Sequence, residues 1–462
     1  MLKTGASECF QAEEIYRAYV LLRADHVYRK ILSTELGANR MCTNCNAPTA
    51  RRVVITGLGA VSAIGIGRDA YWQALKAGQS GIKKISSFDT HSYACDVAGE
   101  ISDFDPTDFM STQQARRIDR FAQLAIAAAK LGVQDAGLEI TPDNHSSVGM
   151  ILGTSLGTLC YLEHQLALLN EKGIKRINPF FPTSVIPSSA ATQVMLELKM
   201  KGTCKTVTTA CASSTWSIGE AFEAIKFGKS DVMLAGGAEA PITPSVLASL
   251  GSLQLLAQPE GSPTSSYRPF CKDAAGFVLG EGAGILVLEE LEHARRRGAR
   301  IYAEVGGFGS TTDAFHVMAF EPSFERPVAA IHTALEQAEI RPSDLGYINP
   351  HGIAIPDSDR GEATILKLAL GEAAFGIPVS ATKPMTGHTL GACGALEMIG
   401  CCLMMENEFL HPTINYTEPD PICDLDFIPN HGRAAKVDAM MSVSFGFGGY
   451  NAACVLRAFD GV

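Results

Sequence analysis

The chain of 462 residues lacks any run of about 18 apolar residues, so no membrane-spanning helix is expected. It also lacks the basic start and apolar core of a secretion signal. Positive charge is not in excess, since the formal net charge is −11, and a nucleic-acid-binding function has no electrostatic support. Thirteen cysteines, an odd number without a secretion signal, predict reduced thiols and a cytoplasmic location.

The first 50 residues form an N-terminal extension, either a poorly ordered segment or an amphipathic helix over residues 8–36. Cys42 and Cys45 form a lone CxxC pair, and no metal site is predicted because no further ligands are arranged nearby. Acidic residues at positions 8, 13 and 14 argue against an organelle transit peptide. A start at Met41 stays open as an alternative.

From residue 51 onward, short apolar segments typical of strands alternate with segments of helical periodicity. Continuous apolar strands between helices predict an α/β core with buried sheets. Gly57 and Gly59 follow the first strand, but the third glycine of a dinucleotide fingerprint is missing, so no dinucleotide site is predicted. The strand candidates are residues 53–56, 148–152, 231–235, 285–289, 301–305, 346–349, 440–444 and 452–456, and the helix candidates are residues 118–136, 190–199, 215–227, 326–338, 359–370 and 391–405.

Cys211 is the most informative residue of the chain. It follows a β-prone stretch, residues 206–209, and precedes a stretch with apolar residues at helical spacing, residues 213–226. At such an elbow, the free N–H groups and positive dipole end of the helix favour a thiolate, which is the reactive form in covalent catalysis. A buried structural cysteine is the alternative, because the chain has many cysteines.

Two histidines each stand beside a glycine at the end of a predicted element. His351 precedes Gly352 after an apolar strand-like run, and His388 follows Gly387. Glycine allows the backbone to approach a ligand closely. Either histidine alone is more often structural, but together with a nucleophilic thiol they would supply two charge-stabilising groups.

Four motifs, in this order, resemble those of the β-ketoacyl-acyl-carrier-protein synthases, most closely synthase II, within the thiolase superfamily. They are Thr209-Ala210-Cys211, residues 276–284, residues 382–388 and residues 444–449. The resemblance covers about residues 52 to 458. It implies a thiolase-like five-layered αβαβα fold made of two similar halves. Residues 51–299 would hold the nucleophile, and residues 300–462 would hold the histidines.

The resemblance implies an acyltransferase that carries out a decarboxylative Claisen condensation. Cys211 would accept an acyl group from a phosphopantetheine thioester, and a malonyl thioester would then lose CO₂ and attack it. The backbone N–H groups of Cys211 and Phe447 would form the oxyanion hole. Phe447 would also act as a gate on its glycine-rich loop. No metal ion or further cofactor is implied, since phosphopantetheine carries the substrates.

The remaining catalytic assignments also come from the resemblance. His351 and His388 would face the malonyl thioester and the developing enolate. Lys383 would support His388, and Glu362 would be the acid that pairs with Lys383. A surface salt bridge is the alternative for Lys383 and Glu362.

The same resemblance assigns substrate and partner contacts. Ile353 and Ile355 stand where threonines usually bind the pantetheine arm, which predicts an apolar and narrow tunnel. An acidic acyl carrier protein is the expected partner, and a homodimer or heterodimer is expected. The predicted substrate-binding residues are Leu156, Leu250, Ile353, Ile355, Phe445 and Tyr450, and the predicted carrier-docking residues are Arg116, Arg117, Lys175 and Arg176.

Three functions stay open. The first is a carrier-dependent ketosynthase of a specialised polyketide, polyene or fatty-acid-like pathway. The second is a condensing enzyme for coenzyme A or smaller thioesters. The third is a non-catalytic partner subunit of the chain-length-factor type, which the intact Cys211, His351, Lys383 and His388 argue against.

Overall fold

The structure, a computed structural model, describes residues 51–258 and 261–461. The predicted extension, with its possible helix and its CxxC pair, lies outside the described residues. The strands are Val53–Ser62 (β1), Gly65–Ile66 (β2), Lys83–Lys84 (β3), Val97–Ala98 (β4), Val148–Gly153 (β5), Cys204–Val207 (β6), Val232–Glu239 (β7), Gly282–Glu290 (β8), Ala303–Thr312 (β9), Tyr347–Asn349 (β10), Phe409–Leu410 (β11), Arg433–Ala434 (β12), Ala439–Gly446 (β13) and Tyr450–Arg457 (β14).

The α-helices are Arg68–Ala77 (α1), Thr112–Ala115 (α2), Arg120–Asp135 (α3), Leu159–Lys172 (α4), Phe181–Ser184 (α5), Ser189–Glu197 (α6), Ser213–Lys226 (α7), Pro244–Ser252 (α8), Leu291–Arg296 (α9), Glu325–Gln337 (α10), Pro356–Leu370 (α11), Lys383–Thr386 (α12) and Cys393–Asn407 (α13). From residue 51 onward every predicted strand and helix is present, and β1 and β9 extend several residues beyond their predicted ends. Helices α1, α4 and α8 and the short helices α2, α5, α9 and α12 were not predicted. No helix in the described part of the chain is both long and apolar enough to cross a membrane.

The main sheet follows the strand order β10-β13-β14-β9-β1-β8-β7-β5-β6. Strand β5 pairs in parallel with both β6 and β7, and β10 pairs in parallel with β13, whereas the other neighbours along this path are antiparallel. The short antiparallel contact between β1 and β9, at Val54–Glu304 and Ile55–Ala303, joins the strands of the two halves.

Alternating strand residues face different helix layers, as a period of two requires. On β8, Leu286 and Leu288 pack into a central core with α7 and α13, while Ile285 and Val287 pack into an outer core with α3. Strands of the second half do the same, with α10 and α11 covering their outer face. The predicted five-layered αβαβα arrangement is confirmed. The predicted division into residues 51–299 and 300–462 falls between α9 and β9, and it stays a prediction.

Pairs of glycines let one helix lie directly on the sheet in each half. A Cβ atom on Gly57 or Gly59 of β1 would lie 2.3 or 1.9 Å from carbonyl oxygens of α3. Gly307 and Gly309 of β9 meet α10 in the same way, at 2.1 and 1.9 Å. Gly57 and Gly59, predicted to follow the first strand, thus lie within β1 and serve helix packing. The second half uses a glycine pair in the same way.

Gly309→Ala should destabilise the fold, because the new methyl group would overlap the carbonyl of Ala330 and force α10 away from the sheet. We expect a loss of about 2 kcal/mol or more, as for other overpacked sites. Chemical denaturation measures it, with Gly376→Ala as the matched control, since no atom lies within 4 Å of a Cβ there. Equal stability of the two variants would contradict the packing argument.

Candidate active site

Cys211 lies at an elbow between β6 and α7, where the sequence predicted it. Ala210, just before it, has a left-handed backbone with φ of 49°. The buried Ser213 Oγ holds this turn, since it accepts the N–H of Thr209 at 2.9 Å and donates to the carbonyl of Ala210 at 2.6 Å. The hydroxyl thereby stabilises an unusual backbone conformation beside the sulfur.

The structure brings together the three residues predicted to form the catalytic centre. One ligand atom each of Cys211, His351 and His388 lies within 4.8 Å of the others. All three residues are buried, with exposed fractions of 5, 1 and 2 %. The two imidazole rings stand edge to face, with centroids 5.4 Å apart. A reacting carbon could therefore contact the sulfur and both rings at once.

Burial raises the pKa of the Cys211 thiol to about 12. The positive charge of Lys383 and the backbone N–H groups of Phe447 and of Cys211 itself lower that pKa, but by less than burial raises it. The expectation that the helix end makes a resting thiolate is therefore wrong, because desolvation disfavours the charged form. The thiol must pass its proton to a base when it reacts.

Both histidines are held neutral. Burial, and after it the charge of Lys383, lower the pKa of His351 and of His388 well below its usual value. Their Nδ1 atoms are fully buried and have no hydrogen-bond partner among the described residues. A neutral imidazole can accept a proton from a thiol at one nitrogen and donate a hydrogen bond from the other.

Lys383 pairs with a carboxylate that the sequence did not single out. Its Nζ donates to Oε1 of Glu397 at 2.6 Å and to the backbone carbonyl of His351. Burial alone would lower the pKa of Lys383, but Glu397, with further contributions from Cys393 and Glu362, more than compensates, and the pKa is raised. The side chains of Lys383 and Glu397 are 1 and 2 % exposed, so a surface salt bridge is excluded for this pair.

The predicted pairing of Lys383 with Glu362 is wrong, because the structure gives Glu362 another task. Its carboxylate accepts the backbone N–H of His351 and, at 2.8 Å, that of Gly352. Burial raises its pKa to about 7, against the effect of these N–H groups and of Lys383. Glu362 thus holds the backbone that carries His351, and it acts on Lys383 only through its charge.

Asp359, one helical turn earlier on α11, holds the backbone that follows the two residues bound by Glu362. Its Oδ1 accepts the N–H groups of Ile353 and Ala354, both at 3.1 Å, and its Oδ2 accepts that of Phe270 at 2.7 Å. Four consecutive backbone N–H groups after β10, those of residues 351–354, therefore donate to two buried carboxylates on one face of α11. Asp359 was missed in the sequence, because its distance from His351 along the chain gains meaning only when α11 is seen to pack against the turn after β10.

The Phe447 loop joins β13 to β14 and lies directly against the elbow. A Cβ atom on Gly446 would be 2.6 Å from the carbonyl oxygen of Thr209 and 3.2 Å from the N atom of Cys211. Gly448 and Gly449 have φ of 90° and 76°, which favour glycine. The N–H of Gly448 donates to the carbonyl of Val317 at 2.8 Å, so a second loop supports this one.

Three of the predicted substrate-binding residues lie on the apolar side of the site. Leu250 and Ile355 are half-buried and pack against the same apolar cluster as Cys211. Ile353 is buried, with 6 % of its surface exposed. Leu250 and Ile355 thus pack in the apolar cluster of Cys211. Contact of all three residues with a pantetheine arm stays a prediction.

The other three predicted substrate-binding residues occupy different surroundings. Phe445 lies edge-on to His351, with ring centroids 6.1 Å apart. Tyr450 packs edge-on against Trp216, with ring centroids 6.1 Å apart, and lies against the central core. Leu156 is 39 % exposed on the loop after β5. Of these three, Phe445 has the most direct contact with a catalytic ring.

The predicted carrier-docking residues are all exposed, as a docking role requires. The guanidinium of Arg117 lies over the ring of Phe180, 6.0 Å from its centroid, and Phe180 is itself 56 % exposed. Contact with a carrier stays a prediction for the four exposed side chains, Arg116, Arg117, Lys175 and Arg176.

A double-mutant cycle should separate the roles of the two carboxylates. Glu397→Gln leaves the Lys383 ammonium buried without its counter-ion, which should cost about 3–5 kcal/mol of stability. In a Lys383→Met background the same change should cost much less. Glu362→Gln should show a smaller coupling to Lys383→Met in chemical denaturation. A coupling of Glu362 as large as that of Glu397 would contradict the assigned ion pair.

Comparison with known proteins gives the family of this chain. The family models described as "Beta-ketoacyl synthase, N-terminal domain" and "Beta-ketoacyl synthase, C-terminal domain" match residues 50–294 and 302–417. The chain is 41 % identical over 410 residues to the 3-oxoacyl-[acyl-carrier-protein] synthase 2 of Synechocystis sp., covering 89 % of this chain and 99 % of that protein. For the synthase 2 of Staphylococcus aureus the identity is 42 %, with the same coverage.

Solved structures of ketosynthases resemble this chain along most of its length. A type II polyketide ketosynthase in complex with its acyl-carrier protein and bound to a hexaketide is 35 % identical, with a TM-score of 0.82, over 89 % of this chain and 100 % of that one. The ishigamide ketosynthase/chain length factor is 35 % identical, with a TM-score of 0.83 and the same coverage. The chain therefore belongs to the β-ketoacyl synthase family.

Proposed function

We propose that this protein is a ketosynthase that condenses an acyl thioester with a malonyl thioester, both carried on an acyl carrier protein, with loss of CO₂. The observation that carries the proposal is the geometry of the buried centre. A thiol, two neutral imidazoles and two inward-directed backbone N–H groups meet at one point. Such a centre combines a nucleophile, a base and an oxyanion hole.

Acyl transfer comes first. One of the neutral imidazoles accepts the proton of the Cys211 thiol while the sulfur attacks the thioester carbonyl. The N–H groups of Cys211 and Phe447 stabilise the oxyanion, and one such donor is worth roughly 3 kcal/mol. The C–S bond to pantetheine breaks, and the imidazolium returns its proton to the departing pantetheine sulfur. The products are an acyl-Cys211 thioester and a free carrier thiol.

Decarboxylation follows at the same centre. His351 and His388 donate hydrogen bonds to the thioester oxygen of the malonyl group, where negative charge develops. The carbon–carbon bond to the carboxylate breaks and CO₂ leaves. The electron pair of the broken bond forms the enolate. Lys383 is a positioning residue here, since its ammonium holds the carbonyl of His351 and, after burial, its charge adds to the lowering of the pKa of both imidazoles.

Condensation completes the cycle. The enolate carbon attacks the acyl-Cys211 carbonyl, and the oxyanion again lies in the hole formed by Cys211 and Phe447. Collapse of this intermediate breaks the C–S bond, and the thiolate of Cys211 is released and takes up a proton. The product is a β-ketoacyl thioester on the malonyl carrier, longer by two carbons than the acyl group.

The partners and the setting belong to the same proposal. The four exposed basic residues of the docking set suit an acidic carrier. A dimer, homomeric or heteromeric, is supported by the exposed Leu156 and by the edge position of β6. The free thiols of all ten described cysteines suit the cytoplasm. A specialised polyketide, polyene or fatty-acid-like pathway is supported by the apolar side chains of Ile353 and Ile355.

The direct test of the function is acylation followed by condensation. Acyl thioesters should add one acyl group to the wild-type chain, and peptide mass spectrometry should find it on Cys211. Cys211→Ala should neither acylate nor condense. Cys393→Ala is the matched control, since that buried thiol donates to the backbone carbonyl of Cys211 and lies beside the same centre, and this variant should still be acylated on Cys211. An adduct on another cysteine, or condensation by Cys211→Ala, would refute the proposal.

His388→Ala should still acylate, because His351 remains to accept the thiol proton, but it should lose most malonyl decarboxylation. The pKa of both rings lies well below the usual value of about 6.5, so wild-type decarboxylation should stay nearly constant down to about pH 6. Release of labelled CO₂ measures both effects. Equal decarboxylation by the variant and the wild type would show that His388 has another role.

Ile353→Thr combined with Ile355→Thr should improve turnover of generic carrier substrates, because threonine hydroxyls can hydrogen-bond a pantetheine arm and isoleucines cannot. We expect about a fivefold gain in kcat/KM for each hydroxyl used, equivalent to about 1 kcal/mol. Generic carriers, a cognate carrier and coenzyme A thioesters are compared in the wild type and the double variant. If the wild type already uses generic carriers well and the variant gains nothing, the isoleucines serve packing only.

A further inference from the structure

Glu239, the last residue of β7, is fully buried, and the mechanism described above makes no use of it. Its carboxylate accepts hydrogen bonds from two separate parts of the chain. Oε1 accepts the N–H groups of Leu156 at 3.0 Å and Gly157 at 2.9 Å, and the hydroxyl of Thr154 at 3.1 Å. Oε2 accepts the N–H of Ser155 and, at 3.1 Å, that of Gly391.

These two parts touch each other around the carboxylate. A Cβ atom on Gly391 would lie 2.4 Å from the N atom of Ser155 and 2.5 Å from Oε2 of Glu239. The loop of residues 154–157 carries Leu156, and Gly391 follows His388 by three residues. The segment that carries a catalytic histidine therefore rests on the loop of the predicted acyl site.

The carboxylate also lies near the nucleophile. Burial raises the pKa of Cys211, and the negative charge of Glu239 adds to that rise. The loop of residues 154–157 and the segment after His388 thus surround one buried group, and its charge acts on the nucleophile. Because buried N–H groups need an acceptor and Glu239 accepts four of them, their positions depend on this carboxylate.

We propose that Glu239 is a positioning residue that couples the Leu156 loop to the His388 segment and thereby sets the acyl-chain selectivity of the enzyme. The inference rests on the proposed ketosynthase function and deepens it. Glu239 touches no reacting atom in this scheme. It fixes the backbone of the acyl-binding loop relative to the centre where the enolate forms.

Glu239→Gln tests the inference with little change in size. The amide keeps one acceptor oxygen and puts an NH₂ group against either the Oε1 donors or the Oε2 donors, so one set loses its acceptor. The assay follows acylation of Cys211 by pantetheine thioesters from butyryl to palmitoyl, and decarboxylation of malonyl-pantetheine. We expect the ratio of kcat/KM for long over short chains to change by about fivefold or more, with slower decarboxylation.

Glu289→Gln is the matched control. Glu289 is also fully buried and lies near the opposite end of the same strand pair, where it contacts Arg297, His293 and Thr56. It is seven residues from Glu239 along the register, about 23 Å at roughly 3.3 Å per residue. This variant can lose stability, but its chain-length ratio should stay within about twofold of the wild type.

Thr154→Val is the milder variant for the case that Glu239→Gln does not fold, since it removes only the hydroxyl donor to Oε1. It should shift the chain-length ratio in the same direction by a smaller factor. An unchanged ratio in the folded Glu239→Gln variant, or in Thr154→Val when Glu239→Gln does not fold, would overturn the inference while leaving the proposed function intact. A wild-type chain that is never acylated would refute the proposed function and this inference together.

Discussion

Removal of water from the catalytic centre is the constraint on which the rest of the site depends. Burial raises the pKa of the Cys211 thiol and lowers the pKa of both histidines, so the resting centre carries no charge on its three reacting groups. Lys383, a permanent cation beside these groups, is tolerated because Glu397 neutralises it at 2.6 Å. Charge appears only when a thioester arrives, and the N–H groups of Cys211 and Phe447 are already in place to meet it.

The fold supplies this dry centre by bringing loops from both halves to one point. The backbone of the loop between β13 and β14 lies directly against the elbow before α7. The backbone of the turn after β10 is held by two carboxylates. Gly446 allows the closest of these approaches. Glu362 and Asp359 hold the turn that carries His351 by accepting four consecutive N–H groups. Hydrogen bonds from the backbone to buried carboxylates thus fix the position of His351 in the site.

Much of this could be predicted from the sequence, and the failures have a common cause. The elbow at Cys211 and the glycines beside His351 and His388 are readable in the sequence, and the alternation of strands and helices predicts an α/β core. The role of Lys383 and the five-layered arrangement came from the resemblance to a known family. Glu397 was missed although it is a buried acid in the apolar helix α13, because its partner is fixed only by tertiary packing. The pairing of Glu362 and the resting state of Cys211 were predicted wrongly for the same reason, since neither contacts nor burial depth can be read locally.

The pH dependence of Cys211 alkylation tests the central claim most directly. The rate of iodoacetamide modification, followed by peptide mass spectrometry at Cys211, reports the fraction of thiolate. A thiol pKa of about 12 predicts a rate that rises with pH and reaches no plateau below about pH 10. A plateau already reached near neutral pH would show a resting thiolate and contradict the uncharged, desolvated centre on which this account depends.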